Sequence, residues 1–421
     1  MINDSIRYQD KQLTCDGVLA RDVVANCGTP AYIYSLPRVL ANHQRIRAAF
    51  SALDVHVHYS IKANGNLALL RSLADAGAGF DAVSGGEIFR ALNAGARPID
   101  IVFAGVGKTR DELRYAIEQG VGWFNVENVD ECRIINDLVT EVGSEPVWTA
   151  LRLNPDVAAN THPHIATGHA GAKFGLSSDA IQYLLAHRDS YPNLRFAGIH
   201  LHIGSQLHDL DATRAAVQIA RDLIQPFPDI RTLNIGGGIP VPYSRDDVMP
   251  DVETFAAVLQ PLLKDYRVLL EPGRSIIADA GILVTEVLYT KEQGGKYIVI
   301  VDASMSELIR PALYKAHHDI IPLTESDAET RICQVVGPVC ETADYLGLEI
   351  PLSPVQPGDL LAIMTTGAYG MVMSSNYNAR PRPVEVVVEP DGESWQIARR
   401  RETWADLLRY EGDVLGSTAE G

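Results

Sequence analysis

Lysine is scarce in this chain, with eight in 421 residues, and one of them, Lys62, closes the β-rich run Val55 to Ile61. An amine at the end of a buried strand, desolvated and near other cations, has a lowered pKa and becomes a nucleophile toward a carbonyl carbon. Taken alone, a lysine there more often snorkels its ammonium to water, so its company decides. Gly236-Gly237-Gly238 follows the run Thr232 to Ile235. Backbone without side chains can bring several N–H groups onto a phosphate, although a glycine triplet is also simply a tight turn. One run later, Glu271-Pro272-Gly273-Arg274 sets an acid, a second glycine and a cation together. His202, in His200-Leu-His-Ile-Gly-Ser205-Gln, could lie flat on a planar ring, whereas a lone strand histidine is more often a satisfied core residue.

Something must bring these distant residues together. Between about Leu36 and Gly281, short β-rich runs alternate with helical patterns, the rhythm of repeated βα units. The expected strands are Val55 to Ile61, Gly79 to Val83, Ile101 to Ala104, Gly122 to Val126, Val147 to Leu153, Ala197 to His202, Thr232 to Ile235 and Val268 to Leu270. Helical periodicity covers Asn66 to Ala76, Gly86 to Ala94, Arg110 to Gln119, Val129 to Val142, Ala212 to Ile224 and Val252 to Tyr266. Eight such units predict a (β/α)8 barrel over residues 36–281, with chemistry at the C-terminal strand ends; an open doubly wound sheet is the rival. Polar residues do follow the strands: Ser60 and Lys62, Asp81 and Ser84, Arg152 and Asn154, His202 and Ser205, the glycine triplet, and Glu271 with Arg274. After Gly281 the texture turns to β-rich runs (Ile282 to Tyr289, Tyr297 to Val301, Arg331 to Val336, Leu360 to Met364, Val384 to Glu389). Residues 282–421 are therefore expected to form a mainly β domain, joined by residues 1–35 through the runs Gln12 to Leu19 and Ala31 to Ile33. Ala158 to Ala172, with three histidines and no periodicity, reads as a mobile loop near the barrel mouth.

Composition narrows the function classes. With 46% hydrophobic and 21% charged residues the chain is a globular one. Its 36 basic against 53 acidic residues give a net charge of −17 with no basic block, which argues against nucleic acid or an anionic membrane as partner. No apolar run approaches the roughly 20 residues of a membrane helix, and the polar start Met1 to Asp10 does not read as a signal peptide. Five scattered cysteines without a CxxC argue against a disulfide framework or a structural metal, so the expectation is a cytoplasmic protein with no bound metal.

A Schiff-base lysine, a phosphate cradle and an acid able to hold a ring nitrogen protonated are what pyridoxal 5'-phosphate asks of a protein, with Lys62, the two glycine turns and Glu271 as the candidates. The chain also resembles the barrel-type (fold type III) pyridoxal-phosphate amino-acid decarboxylases. The resemblance runs through Tyr-Ser-Ile-Lys62-Ala-Asn, Phe-Asp81-Ala-Val-Ser-Gly-Gly-Glu87, Val-Phe-Ala-Gly-Val-Gly-Lys108-Thr, Lys173-Phe-Gly, His202-Ile-Gly-Ser-Gln, Gly236-Gly-Gly and Glu271-Pro-Gly-Arg274. It continues through Ile-Arg310-Pro-Ala-Leu-Tyr314, Gly-Pro-Val-Cys340-Glu341-Thr, Gly-Ala-Tyr369-Gly and Ser-Asn-Tyr-Asn-Ala-Arg-Pro-Arg382-Pro. The chain departs from the pattern at Leu201 and Pro240, neither of which carries a catalytic group.

The resemblance implies that Lys62 carries the cofactor, that Asp81 belongs to the cofactor site, that His202 stacks on the ring and that Glu271 pairs with its nitrogen. It assigns the phosphate to Ser205, the Gly236-Gly237-Gly238 turn, Gly273, Arg274 and the Tyr369 hydroxyl, and reprotonation to Cys340. Relatives of this kind are homodimers in which the segment matching Cys340-Glu341 completes the partner's site. From residue type alone, Cys340 reads as a buried small hydrophobe. Arg310 and Tyr314, four apart and so on one helical face, could with Arg274 and Tyr369 take a distal carboxylate while Glu341 takes a distal ammonium. With that pair of groups, the resemblance implies decarboxylation of meso-2,6-diaminopimelate to L-lysine and carbon dioxide, the last step of lysine biosynthesis. The alternatives are a sister decarboxylase for ornithine, arginine, carboxynorspermidine or a D-amino acid, a racemase on the same barrel, and a non-catalytic regulator.

Overall fold

The computed structural model describes residues 3–157 and 171–411; nearly all of the Ala158 to Ala172 segment lies outside them. The chain divides into two compact units, one of Leu40–Val241 and Val248–Ile276, the other of Met1–Val39, Pro242–Asp247 and Ile277–Gly421. The excursion Pro242–Asp247 has no mark in the periodicity. Among the described residues no helix is long and apolar enough to cross a membrane.

The first unit is a closed barrel of eight strands, Asp54–Ser60, Gly79–Ala82, Ile101–Phe103, Trp123–Val126, Val147–Leu153, Leu194–Leu201, Thr232–Asn234 and Arg267–Leu270. Every pairing is parallel, and Arg267–Leu270 closes the ring on Asp54–Ser60. Close approach explains some small residues: a Cβ at Gly122 would lie 1.9 Å from the Ile99 carbonyl oxygen. The flanking helices carry their own stop and start signals. Thr109 and Glu112 form a capping box at the head of Arg110–Gln119, and Gly120 ends that helix in the left-handed conformation. Asn128 and Gly143 bracket Val129–Val142, whose Cys132, Ile135, Leu138 and Val139 are buried at i, i+3, i+6 and i+7. That spacing is one apolar stripe, and full burial contributes roughly 1.5–3 kcal/mol for each large aliphatic side chain. The expected helices appear within two or three residues at their ends. Two more, Leu36–Ala49 and Ser178–Ala186, complete the ring of helices.

The second unit is mainly β. Gly281–Gln293 is its axis, pairing antiparallel with Lys296–Val301, with Leu360–Ile363 and with Ala31–Ser35. Ala31–Ser35 then pairs in parallel with Val384–Val388, so a segment from the start of the chain sits inside the nine-stranded sheet. Its residues are all buried, and Ala31 and Ile33 join Ile282, Val284, Ala362, Val386 and Val388 in one apolar cluster. The run Gln12 to Leu19 is not one strand. Asp16 and Gly17, both at positive φ, break it into Gln12–Cys15 and Val18–Leu19 of a small antiparallel sheet with Ile6–Gln9.

Candidate active site

Strand alternation builds the site. Val102, Trp123, Ala150 and Leu269 pack together from four barrel strands. Two residues beyond three of them, and therefore on the same face, come Asn125, Arg152 and Glu271, all buried. An apolar layer thus lies beneath a polar one at the C-terminal strand ends. Glu271 is the centre of that polar layer. Its Oε1 accepts from Asn125 Nδ2 at 2.9 Å and Asn234 Nδ2 at 2.6 Å, and its Oε2 lies 3.1 Å from His200 Nε2. Burial pushes the carboxyl toward its neutral form, but His200, Lys62 and the Asn234 hydrogen bond together outweigh it and hold Glu271 far below the ordinary carboxylate range. The group is an anion at any physiological pH.

Lys62 sits one turn past the first strand, in the short 3-10 helix Ile61–Ala63, with 41% of its side chain exposed. Its Nζ lies 3.4 Å from Oδ2 of the fully buried Asp81. Ser60 Oγ stands 2.6 Å from the same oxygen and 3.0 Å from the Glu271 carbonyl oxygen, so one hydroxyl group links the first, second and eighth strand ends. Burial raises the Asp81 pKa, with Lys62 opposing it. His202 is held neutral, far below its ordinary pKa, by burial first and then by the charges of Lys62 and Arg152. Arg152 is itself paired with Glu127 at 2.7 Å.

The glycine turns form a cradle with no room for side chains. A Cβ at Gly237 would lie 2.5 Å from the Glu271 carbonyl oxygen, and one at Gly238 would lie 2.9 Å from that of Gly204. At Gly273 it would lie 3.0 Å from the Cβ atoms of Ala63 and Ser60. Arg274 directs Nε and Nη2 to Ser205 Oγ, both at 3.3 Å. Lys62, Asp81, His202, Ser205, Gly236 to Gly238, Glu271, Gly273 and Arg274 therefore all lie at the same end of one barrel. The donor set fits pyridoxal phosphate: an amine for its aldehyde, a permanent anion for its ring nitrogen, and a bare backbone with an arginine for its phosphate.

The remaining expected residues lie in the β unit. Arg310 opens the helix Arg310–Tyr314 and is buried, not on an exposed helix face; Tyr314 is half-buried. Tyr369 is half-buried with φ of 55°, a left-handed conformation uncommon for a residue with a side chain. Cys340 is exposed, which overturns its reading by residue type as a small core hydrophobe. It and the exposed Glu341 lie on a turn held by Asp344, whose carboxylate accepts from Val339 N–H and Met305 N–H, each at 2.7 Å. Cys340 N–H donates to Asn378 Oδ1 at 2.9 Å.

The chain is similar to known proteins over nearly its whole length. Residues 36–278 match the model of the pyridoxal-dependent decarboxylase family, over its pyridoxal binding domain. The diaminopimelate decarboxylase of Aquifex aeolicus is 41% identical over 98% of both chains. The chain belongs to the diaminopimelate decarboxylase family. Among solved members of that family, the Helicobacter pylori enzyme complexed with L-lysine is 36% identical, covers 94% of this chain and 99% of its own, and has a TM-score of 0.88. The M. jannaschii enzyme in complex with L-lysine has a TM-score of 0.90 at 35% identity, covering 96% and 97% of the two chains.

Sequence reasoning on this diaminopimelate decarboxylase family member passed over the three residues that hydrogen-bond the Glu271 carboxylate. Asn125 sits inside Trp-Phe-Asn-Val, Asn234 inside Thr-Leu-Asn-Ile, and His200 inside Gly-Ile-His-Leu. A lone polar residue in an apolar strand was the available signal, since such a side chain is buried only with a partner.

Proposed function

We propose that this chain removes carbon dioxide from meso-2,6-diaminopimelate and releases L-lysine, with pyridoxal phosphate held by the barrel. The observation that carries the reading is the Glu271 carboxyl, hydrogen-bonded by Asn125, His200 and Asn234 in the same strand-end layer as Lys62 and Asp81. Bound pyridoxal phosphate supplies an electron sink for the pair left behind when carbon dioxide departs. The chain's own residues do the rest. Lys62 would hold the cofactor through its aldehyde, and Asp81, 3.4 Å from the Lys62 Nζ, keeps that nitrogen close to the buried layer. Glu271, its pKa held low, would favour a proton on the ring nitrogen, an interaction that would strengthen as negative charge developed toward the ring. Neutral His202 offers a planar face without a competing charge. Ser205, Gly236 to Gly238, Gly273, Arg274 and Tyr369 hold the phosphate.

In this proposal the β unit reads the far end of the substrate. Arg310 and Tyr314, with Arg274 and Tyr369, take the distal carboxylate, and Glu341 takes the distal ammonium. The Cys340 thiol delivers a proton to the substrate carbon. The active form is a homodimer in which Cys340 and Glu341 serve the partner's site, and the exposure of both residues on an anchored turn supports that role.

The test is carbon dioxide release by the purified protein with pyridoxal phosphate, offering meso-diaminopimelate, lysine, ornithine, arginine and carboxynorspermidine in parallel. Selective turnover of meso-diaminopimelate is expected. Turnover of another substrate would keep the cofactor assignment and overturn the assignment of Arg310 and Glu341, and silence with cofactor bound would overturn catalysis itself.

A further inference from the structure

The β unit carries a buried histidine that the proposed reaction does not use. His318 is 1% exposed and stands between two groups of fixed polarity. Its Nδ1 lies 2.8 Å from the Met364 carbonyl oxygen, and its Nε2 lies 2.8 Å from Arg310 Nη1. A carbonyl oxygen only accepts and a guanidinium only donates, so the two contacts assign the ring. Nδ1 carries the hydrogen and donates to Met364; Nε2 carries the lone pair and accepts from Arg310. The protonated ring would turn an N–H against the guanidinium, and burial together with the Arg310 charge holds His318 well below its ordinary pKa. Tyr243 completes the enclosure. Its ring centroid is 4.4 Å from the Arg310 guanidinium carbon and 5.1 Å from the His318 ring, which it meets edge-on at 86°.

The acceptor is delivered by rigid structure. Ile320–Pro322, two residues after His318, pairs antiparallel with Leu360–Ile363, and Met364 N–H donates to the Asp319 carbonyl at 2.9 Å. The imidazole is thus clamped to a sheet edge at one nitrogen and offers the other to a single arginine. A guanidinium on a long side chain has many rotamers, and a distal carboxylate can be read as a two-point fork only when that freedom has been removed beforehand.

We propose that His318 is a positioning residue for Arg310, and that through it the enzyme discriminates in favour of ligands bearing a distal carboxylate. The inference rests on the assignment of Arg310 to that carboxylate. Two substitutions separate the two nitrogens: in His318→Gln the side-chain carbonyl reaches the place of Nε2 and can accept from Arg310, whereas in His318→Asn the amide reaches only the place of Nδ1 and can donate to Met364. On the cofactor-loaded enzyme, His318→Asn is expected to raise KM for meso-diaminopimelate about ten- to hundredfold, the range for a lost hydrogen bond to a charged group, with a smaller fall in kcat. His318→Gln is expected to stay within about threefold of the parent, because the bond to Arg310 is restored.

A second measurement does not depend on the folded fraction. L-lysine retains the distal carboxylate and 1,5-diaminopentane lacks it, so in His318→Asn the inhibition constant should rise for the first and not for the second. An unchanged KM in His318→Asn, equal impairment of the Asn and Gln variants, or parallel changes for the two inhibitors would each overturn the role. Arg310→Ala distinguishes the levels. If it leaves the KM for meso-diaminopimelate unchanged, the assignment of Arg310 falls and takes this inference with it; if it raises KM while His318→Asn does not, only the His318 role falls.

Discussion

Lys108 offers the sharpest test of how the barrel supports its polar layer. Its side chain is fully buried, and its Nζ is 2.8 Å from the Gly105 carbonyl oxygen, 2.7 Å from that of Asn125 and 2.6 Å from Glu131 Oε1. Three donors meet three acceptors, which saturates the ammonium. Glu131 uses its other oxygen to accept from Glu127 N–H at 2.9 Å, so the carboxylate is tied to the backbone as well. Lys108→Met keeps most of the side-chain volume and removes the charge. It leaves Glu131 as a buried anion without its cation and takes the donor from two backbone carbonyls, a change that costs about 3–5 kcal/mol. For a unit of roughly this size, about 2–4 °C per kcal/mol, the thermal midpoint should fall by about 6–20 °C. The double variant Lys108→Met/Glu131→Gln no longer buries an unpaired charge and should recover a substantial part of that loss in urea and calorimetric midpoints. A single variant that loses less than about 1 kcal/mol, or a double variant no more stable than the single, would show that the pair is not what holds this loop.

Lys62→Ala should abolish both catalysis and the absorption band of bound cofactor; a normal band would remove Lys62 from its assigned place. Gly237→Ala forces a Cβ to within 2.5 Å of the Glu271 carbonyl oxygen, so the turn must shift. Its affinity for pyridoxal phosphate, measured by titration, should fall at least about tenfold, and an unchanged affinity would refute the cradle. Burial pushes Glu87 up to about 7, against a hydrogen bond from Val83 N–H at 2.7 Å. A carboxyl raised on folding contributes stability that is complete below the unfolded carboxyl's pKa and is lost as pH rises through about 7. Glu87→Gln should therefore gain stability relative to the parent between acid and mildly alkaline pH, and parallel urea midpoints at both ends of that window would count against the burial argument.

The barrel was legible because its strands are short apolar runs bounded by glycine and polar residues, and its helices carry caps such as Thr109 and Gly120. Leu36–Ala49 was not, since Asn, His, Gln and three arginines interrupt its apolar positions. Ala31–Ser35 could be read as β and assigned to the C-terminal sheet, but not given its two neighbours, because Gly281–Gln293 and Val384–Val388 lie hundreds of residues away and only their register sets its position. Lys62 and Glu271 stood out as charges ending apolar runs. His318 could not, since its meaning depends on Arg310, Tyr243 and the Met364 carbonyl together. Cys340 reads as core by residue type and is exposed because the turn around Asp344 turns it outward.

The residues that escaped sequence reasoning share a cause. Glu271 is held in place not through any property of its own neighbourhood in sequence but because Asn125, His200 and Asn234, from the fourth, sixth and seventh strands, converge on its two oxygens, and His200 and Asn234 join Lys62 in lowering its pKa. Their convergence depends on register: Asn234 lies beside His200 on one side and Leu269 on the other, two residues before Glu271. A shift of one residue in any of these strands would turn its polar side chain away from the barrel interior and leave a buried carboxylate under-donated. In the fourth strand the apolar layer that Trp123 forms with Val102, Ala150 and Leu269 opposes that shift, because the same slip would turn Trp123 out of the packed interior. Stability and chemistry are therefore enforced by one constraint. The packing that closes the barrel also sets the charge state of Glu271, and a core substitution two residues below the polar layer, such as Leu269→Ala, is expected to weaken the hold on the cofactor as well as the fold.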